Sequence, residues 1–188
     1  MKVGLLGGTF DPPHLGHLII AEHVCEMMGL DEIWFIPSHV PPHKQESSIS
    51  ADDRLVMVEK AVESNPHFFV SSIELERKGK SYTLDTIKEL DAQFPSYNFC
   101  FIIGGDMVDY LDRWYRIEEL KRLVQFVGVG RGGSSNAADG VTMVDIPRID
   151  ISSSMIRERL SNKQSVRYLV ADQVNDYIKE NALYAPES

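Results

Sequence analysis

Cysteine is nearly absent from this chain: Cys25 and Cys100 are the only two in 188 residues. Both lie in apolar segments, so they read as reduced, buried thiols of a cytoplasmic protein and not as a disulfide framework or half of a metal site. Long apolar runs are missing as well, which argues against a membrane-spanning helix. The opening MKVGLLGG has one Lys and no small-residue cleavage site after it, so it reads as a first strand and not as a secretory leader. Cations are in deficit, with 19 Lys and Arg against 28 Asp and Glu and a formal net charge of −9. That balance argues against broad binding to nucleic acid or to an anionic membrane. A small anionic ligand needs only a local basic cluster, for which His14, His17, Lys44, Arg131, Arg157 and Arg159 are the candidates. Two common phosphate motifs are also missing: neither G-x-G-x-x-G nor G-x-x-x-x-G-K-[ST] occurs at the first glycines.

What is present is an alternation of apolar runs and helical periods. Strands are predicted over 2–6, 31–37, 68–76, 98–105, 125–131 and 141–146. Helices are predicted over 16–28, stopped by Gly29, and over 51–64, capped by Ser50 and Asp53 with Leu55, Val58 and Val62 as its apolar stripe. Further helices are predicted from Thr83 to Leu90, around Trp114 and through IEELKRL, over 152–160, and over 165–181. This order predicts an α/β, Rossmann-like, doubly wound and mostly parallel sheet with flanking helices. There is no internal repeat and no linker, so residues 1–188 are expected to form a single domain, with a C-terminal helical part, about 152–188, packed on it. Ligands of such sheets sit at strand carboxyl ends where the strand order reverses, which singles out the loops 7–17, 37–45, 104–114 and 130–133.

The first of these loops is GGTFDPPHLGHL, residues 7–18. Gly7 and Gly8 allow a close backbone approach, and Thr9 and Phe10 offer N–H donors. Pro12 and Pro13 stiffen the exit, and Gly16 opens the following helix, whose amino end favours an anion. His14 and His17, three apart, can share one side of that entry. A tight turn with incidental histidines, or a two-histidine zinc site, are the alternatives. Zinc lacks a cysteine or third histidine at a usual ligand spacing.

GGTFDPPHLGH resembles the H-x-G-H signature of the nucleotidyltransferase α/β phosphodiesterase superfamily, and ISSSMIRERL (151–160) resembles that superfamily's I-S-S-T-x-I-R signature. IIGGDM, SYTLDT and the Arg113–Trp114 pair are further similar to the bacterial nicotinate-nucleotide adenylyltransferases. Ser154 stands where Thr is usual, Gly105 where Ala is common, and GRGG at 130–133 lacks a Pro after the Arg. The resemblance implies adenylyl transfer from ATP to nicotinate mononucleotide, with Mg²⁺ accompanying ATP and no dedicated metal site on the protein. It implies His14, His17 and Arg157 as catalytic residues. Gly7, Gly8, Thr9, Phe10, Gly104, Asp106, Ser152 and Ser153 would join them in holding ATP. Thr83, Trp114, Tyr115, His43 and Lys44 would hold the mononucleotide. The implied partners are these small molecules and a homo-oligomeric copy is left open; nucleic acid and membrane are not among them. The rivals are a pantetheine-phosphate adenylyltransferase-like enzyme, against which His14, Trp114 and SYTLDT speak, and a nucleotide-binding regulator without catalysis.

Overall fold

The computed structural model describes residues 1–39, 49–77, 81–130 and 140–185. Six strands form one sheet: β1 (Lys2–Gly8), β2 (Glu32–Pro37), β3 (Phe68–Val70), β4 (Asn98–Gly104), β5 (Gln125–Gly130) and β6 (Val141–Asp145). Their order is β3-β2-β1-β4-β5-β6, and every neighbouring pair is parallel. The chain steps outward from β1 in one direction, then returns to the other side of β1 with β4. That reversal opens a crevice at the carboxyl ends of these two central strands.

Alternation along β1 divides the interior into two cores. Leu6 faces α1 (Leu15–Met28), α2 (Ala51–Val62), α7 (Ser153–Ser161) and α8 (Asp172–Glu180), where it joins Val24, Val58, Ile156 and Val174. Val3 and Leu5 face the opposite layer of α4 (Thr83–Gln93), α5 (Gly105–Val108) and α6 (Ile117–Leu123), with Leu84, Val108 and Leu120. Each such buried aliphatic side chain contributes roughly 1.5–3 kcal/mol.

Local signals place most element ends. Gly29 ends α1 at φ 58, the left-handed conformation that glycine enters without a Cβ penalty. Ser50 caps α2 by accepting from the Asp53 amide at 3.0 Å. Four expectations need correction. The third strand stops at Val70, and Ile73–Arg77 is a short helix, α3, in which the Ser72 hydroxyl donates to Glu76. The apolar positions of SSIELE thus follow a helical turn and not a pleat. α4 starts at Thr83 as expected but runs past Leu90 to Gln93. Trp114 lies in extended backbone after a 3-10 turn at Leu111–Arg113, not in a helix. The closing helix is only α8; Val166, Leu169 and Val170 precede it in turns joined by an Arg167–Val170 bridge. There the four-residue spacing 166, 170, 174 and 178 reflects burial and not one continuous helix, because the turn delivers the Leu169 carbonyl to the Leu15 amide at 2.9 Å. That amide belongs to the first turn of α1, which has no acceptor of its own.

Candidate active site

Gly7 and Gly8 close β1 between two aromatic rings. A Cβ on Gly7 would meet Phe101 Cζ at 3.2 Å, and one on Gly8 would meet Phe10 Cζ at 3.0 Å. Glycine is required here by ring contact on both faces of the sheet. The Phe10 backbone turns sharply at φ 51, a conformation costing a non-glycine residue about 1 kcal/mol. Its ring, 2% exposed, is clamped by Phe35 at 5.9 Å and His17 at 5.0 Å between centroids. Phe10 therefore anchors the loop with its side chain and leaves only backbone to a ligand. The Asp11–Pro12 peptide is cis.

His14 is the N-cap residue of α1, and its ring stacks on His17 with centroids 3.7 Å apart. The His14 amide donates to His17 Nδ1 at 3.2 Å. An acceptor nitrogen carries no proton, so neutral His17 holds its proton on Nε2 and is a donor there. Burial of His14 pulls its pKa from 6.5 down to about 4, so its ring is neutral at ordinary pH. His14 Nδ1 is buried without a hydrogen-bond partner among the described residues. Gly16 is needed beneath this ring: a Cβ there would sit 2.9 Å from His14 Nδ1.

The second signature docks on the first. Ser153 Oγ donates to the Pro12 carbonyl at 2.8 Å, across 141 residues of chain. Arg157 Nη1 donates to the Asp11 carbonyl at 2.7 Å, and Nη2 donates to Ser154 Oγ at 3.3 Å. Ser152 accepts the Met155 amide at 3.2 Å as the cap of α7. The Ser153 and Ser154 amides are left as first-turn donors beside the loop. Arg159, a candidate cation, is instead engaged with the Ser165 carbonyl at 2.9 Å.

β4 ends beside β1, so Gly104 lies at the same edge. The Asp106 side chain folds over Gly104, where a Cβ would meet Asp106 Oδ1 at 2.7 Å, and α5 has no side-chain cap bond. Asp106 lies within the first turn of α5, whose N-cap is Gly104. On the far side of Phe101 stands Trp114, half-buried and edge-on to Phe101 at 5.9 Å and Phe126 at 6.0 Å. The Tyr82 and Tyr115 rings meet at 4.9 Å, which brings the amino end of α4, with Thr83, against the segment carrying Trp114 and Tyr115. His43, Lys44 and Arg131 lie outside the described residues.

Arg54 and Tyr184 lie outside the motifs and support the loop from other segments. Arg54 on α2, 1% exposed, donates from Nη1 to the carbonyls of Thr9 and Ser38, both at 2.7 Å, and from Nη2 to His39 at 3.1 Å. It ties the loop after β1 to the loop after β2. Asp11 and Tyr184 join at 2.6 Å. The signal for Arg54 was available: it falls on the stripe of Met57, Val58 and Ala61, where a charge must have partners.

A cleft of about 320 Å³ elsewhere, between Trp34, Phe69 and Phe94, is lined by no Lys, Arg or His, so its chemistry does not suit phosphate. Among the described residues no group of three His, Cys, Asp or Glu is placed to hold a metal ion, and no helix is long and apolar enough to cross a membrane.

Comparison with known proteins agrees with this architecture. Residues 5–159 match the cytidylyltransferase-like family. A protein of Oceanobacillus iheyensis named "Probable nicotinate-nucleotide adenylyltransferase" is 53% identical over 97% of this chain and 96% of its own length. A Geobacillus thermodenitrificans protein of the same name is 52% identical over 97% of this chain and 86% of its own. Plasmodium falciparum nicotinic acid mononucleotide adenylyltransferase, solved complexed with APC and with NaAD, shares the fold with a TM-score of 0.80 at 21% identity, over 97% of this chain and 96–97% of that one. With both signatures joined at the β1–β4 crevice and relatives matching from end to end, the chain belongs to the cytidylyltransferase-like family and, within it, to the nicotinate-nucleotide adenylyltransferases.

Proposed function

We propose that this chain joins ATP to nicotinate mononucleotide, giving nicotinate adenine dinucleotide and pyrophosphate, a step of NAD biosynthesis. The observation that carries the reading is the pair of hydrogen bonds from Ser153 to Pro12 and from Arg157 to Asp11, which unite two distant donor sets at one strand edge. A mononucleotide phosphate oxygen attacks the α-phosphorus of ATP, the new P–O bond forms, and the bond from the α-phosphorus to the oxygen bridging it to the β-phosphorus breaks, so that oxygen leaves on pyrophosphate. The attacking group is already an anion, so catalysis reduces to alignment and stabilisation of developing charge.

In this reading His17 donates from Nε2 to the triphosphate. His14 enters neutral and gains a proton as phosphate charge comes near. The backbone of Gly7, Gly8, Thr9 and Phe10 follows the phosphates, while Ser152, Ser153 and Arg157 receive the leaving pyrophosphate. Gly104 and Asp106 take the adenosine ribose side. Trp114 offers a ring face to the pyridine, and the Thr83 and Tyr115 amides take its carboxylate, which selects acid over amide. His43 and Lys44 take the mononucleotide phosphate. Mg²⁺ would come with ATP and would neutralise phosphate charge: the loop's one carboxylate, Asp11, is engaged by Tyr184 and faces Arg157, and the remaining imidazole, hydroxyl, amide and guanidinium groups suit phosphate and not a hard cation. Residues 1–188 work as one nucleotidyltransferase domain. The reaction belongs in the cytoplasm, in keeping with the free thiols of Cys25 and Cys100.

The test is pyrophosphate release from MgATP with nicotinate mononucleotide, nicotinamide mononucleotide or phosphopantetheine as acceptor. The fastest release is expected with the nicotinate compound. Faster release with phosphopantetheine would move the chain to the rival enzyme, and ATP binding without release under any acceptor would make it a regulator.

A further inference from the structure

We propose that Tyr184 is a positioning residue of the active site: through Asp11 it holds the loop of residues 9–14 and the guanidinium of Arg157 in place. The inference rests on the assignment of residues 7–17 and 152–157 to the triphosphate. Tyr184 Oη donates to Asp11 Oδ1 at 2.6 Å, across 173 residues of chain. Asp11 is only 8% exposed. Its other carboxylate oxygen lies 3.9 Å from Arg157 Nη1, and its carbonyl accepts from that same nitrogen at 2.7 Å. One residue thus grips the C-terminal segment with its side chain and the cation of the second signature with its backbone.

Arg157 keeps 36% of its side chain exposed, so it stays open to an anion while Asp11 and Ser154 restrain it. Tyr184 itself sits at φ 59, in the left-handed region that a side chain disfavours by about 1 kcal/mol. Such a conformation persists where the surrounding structure demands it. Burial and the Asp11 carboxylate push the phenol's pKa far up, so it remains a donor throughout the working pH range.

A matched control lies nearby. Tyr177 Oη donates to Asp53 Oδ1 at 2.9 Å, the same phenol–carboxylate pairing between the C-terminal region and a distant segment, but its acceptor is on α2 and not in the loop of residues 9–14. In the full chain, Tyr184→Phe is expected to lower kcat/KM for ATP by about 10- to 100-fold, the scale of a misplaced reacting group. It should also weaken a non-hydrolysable ATP analogue, measured by calorimetry, by about 5-fold or more. Tyr177→Phe should leave both within about a factor of two, whatever it does to the melting temperature. Asp11→Ala should lose analogue affinity as Tyr184→Phe does, and Asp11→Asn, which keeps an acceptor for the phenol, should recover most of it. Wild-type values for Tyr184→Phe overturn the proposal, and so do equal affinities for the Asp11→Ala and Asp11→Asn variants. The calorimetric arm needs no turnover: a wild-type enzyme without turnover defeats the functional reading, and the analogue affinities still decide the role of Tyr184.

Discussion

Replacing Gly16 with alanine should separate catalysis from stability. Gly16 lies in α1, where alanine is favoured over glycine by about 1 kcal/mol, so propensity alone predicts a more stable protein. The added Cβ, however, would lie 2.9 Å from His14 Nδ1 and 3.0 Å from Cε1. Real Cβ contacts are longer, so the imidazole must move, and His14 is 8% exposed and stacked on His17 at 3.7 Å. Its only relief is to slide off that stack, which also disturbs the His14 amide bond to His17 Nδ1. Displacements near 1 Å cost about 10²-fold in turnover. Gly16→Ala should therefore lose about 10²-fold in kcat, while chemical denaturation shows a stability change of about 1 kcal/mol or less, because gained propensity offsets lost packing. The assay is pyrophosphate release alongside a urea titration of the same sample. Turnover within about a factor of two of wild type would show that the ring's place over Gly16 is irrelevant to the reaction.

Three further outcomes are expected. His17→Ala should lower kcat by about 10² or more, as loss of one transition-state donor does, and near-wild-type turnover would remove it from the reaction. Buried His14 titrates near pH 4 where an unfolded histidine titrates near 6.5. The unfolded chain thus binds the proton first, and stability is unaffected above pH 6.5 and falls as pH drops from 6.5 to about 4. At ~1.4 kcal/mol per pH unit the loss reaches about 3 kcal/mol. His14→Ala should flatten that slope in denaturation midpoints against pH. Arg54→Met should cost about 3–5 kcal/mol, since it leaves the Thr9, Ser38 and His39 carbonyls without their donor. A melting temperature equal to wild type would mean that water replaces the guanidinium.

The sheet was legible because five of its strands are apolar runs ended by Gly, Pro or Asp, and their alternation with helical periods implies parallel crossovers. The third strand was overextended because SSIELE satisfies a two-residue and a helical period alike, and the outcome turns on Ser72 and Glu76. Periodicity misled again at 165–171, where buried Val166 and Val170 belong to turns. On α2 the expected stripe of Leu55, Val58 and Val62 is shifted: Arg54, Met57, Val58, Ala61 and Val62 are buried, and Leu55 is half-buried. In the candidate site, the sequence singled out residues 7–17 and 152–157, and the structure brings these two segments together. The sequence marks Arg54 only as a charge on an apolar stripe, with its partners 15 to 45 residues away unspecified. It does not mark Tyr184 at all, since the contact with Asp11 spans 173 residues and no local pattern encodes such a distance.

The innermost strand of the sheet is the first one made. As synthesis proceeds, β1 waits for Asn98–Gly104 before its second edge is covered, and the turn behind it waits for Ser153. Until then a nascent chain presents the unpaired backbone N–H and C=O groups of β1 to its surroundings, and folding is governed by late, non-local pairings, the slow regime of chain topology. A translational stop or proteolytic cut before α7 leaves a fragment that contains the whole H-x-G-H motif but lacks Ser153 and Arg157, the donors to its Pro12 and Asp11 carbonyls.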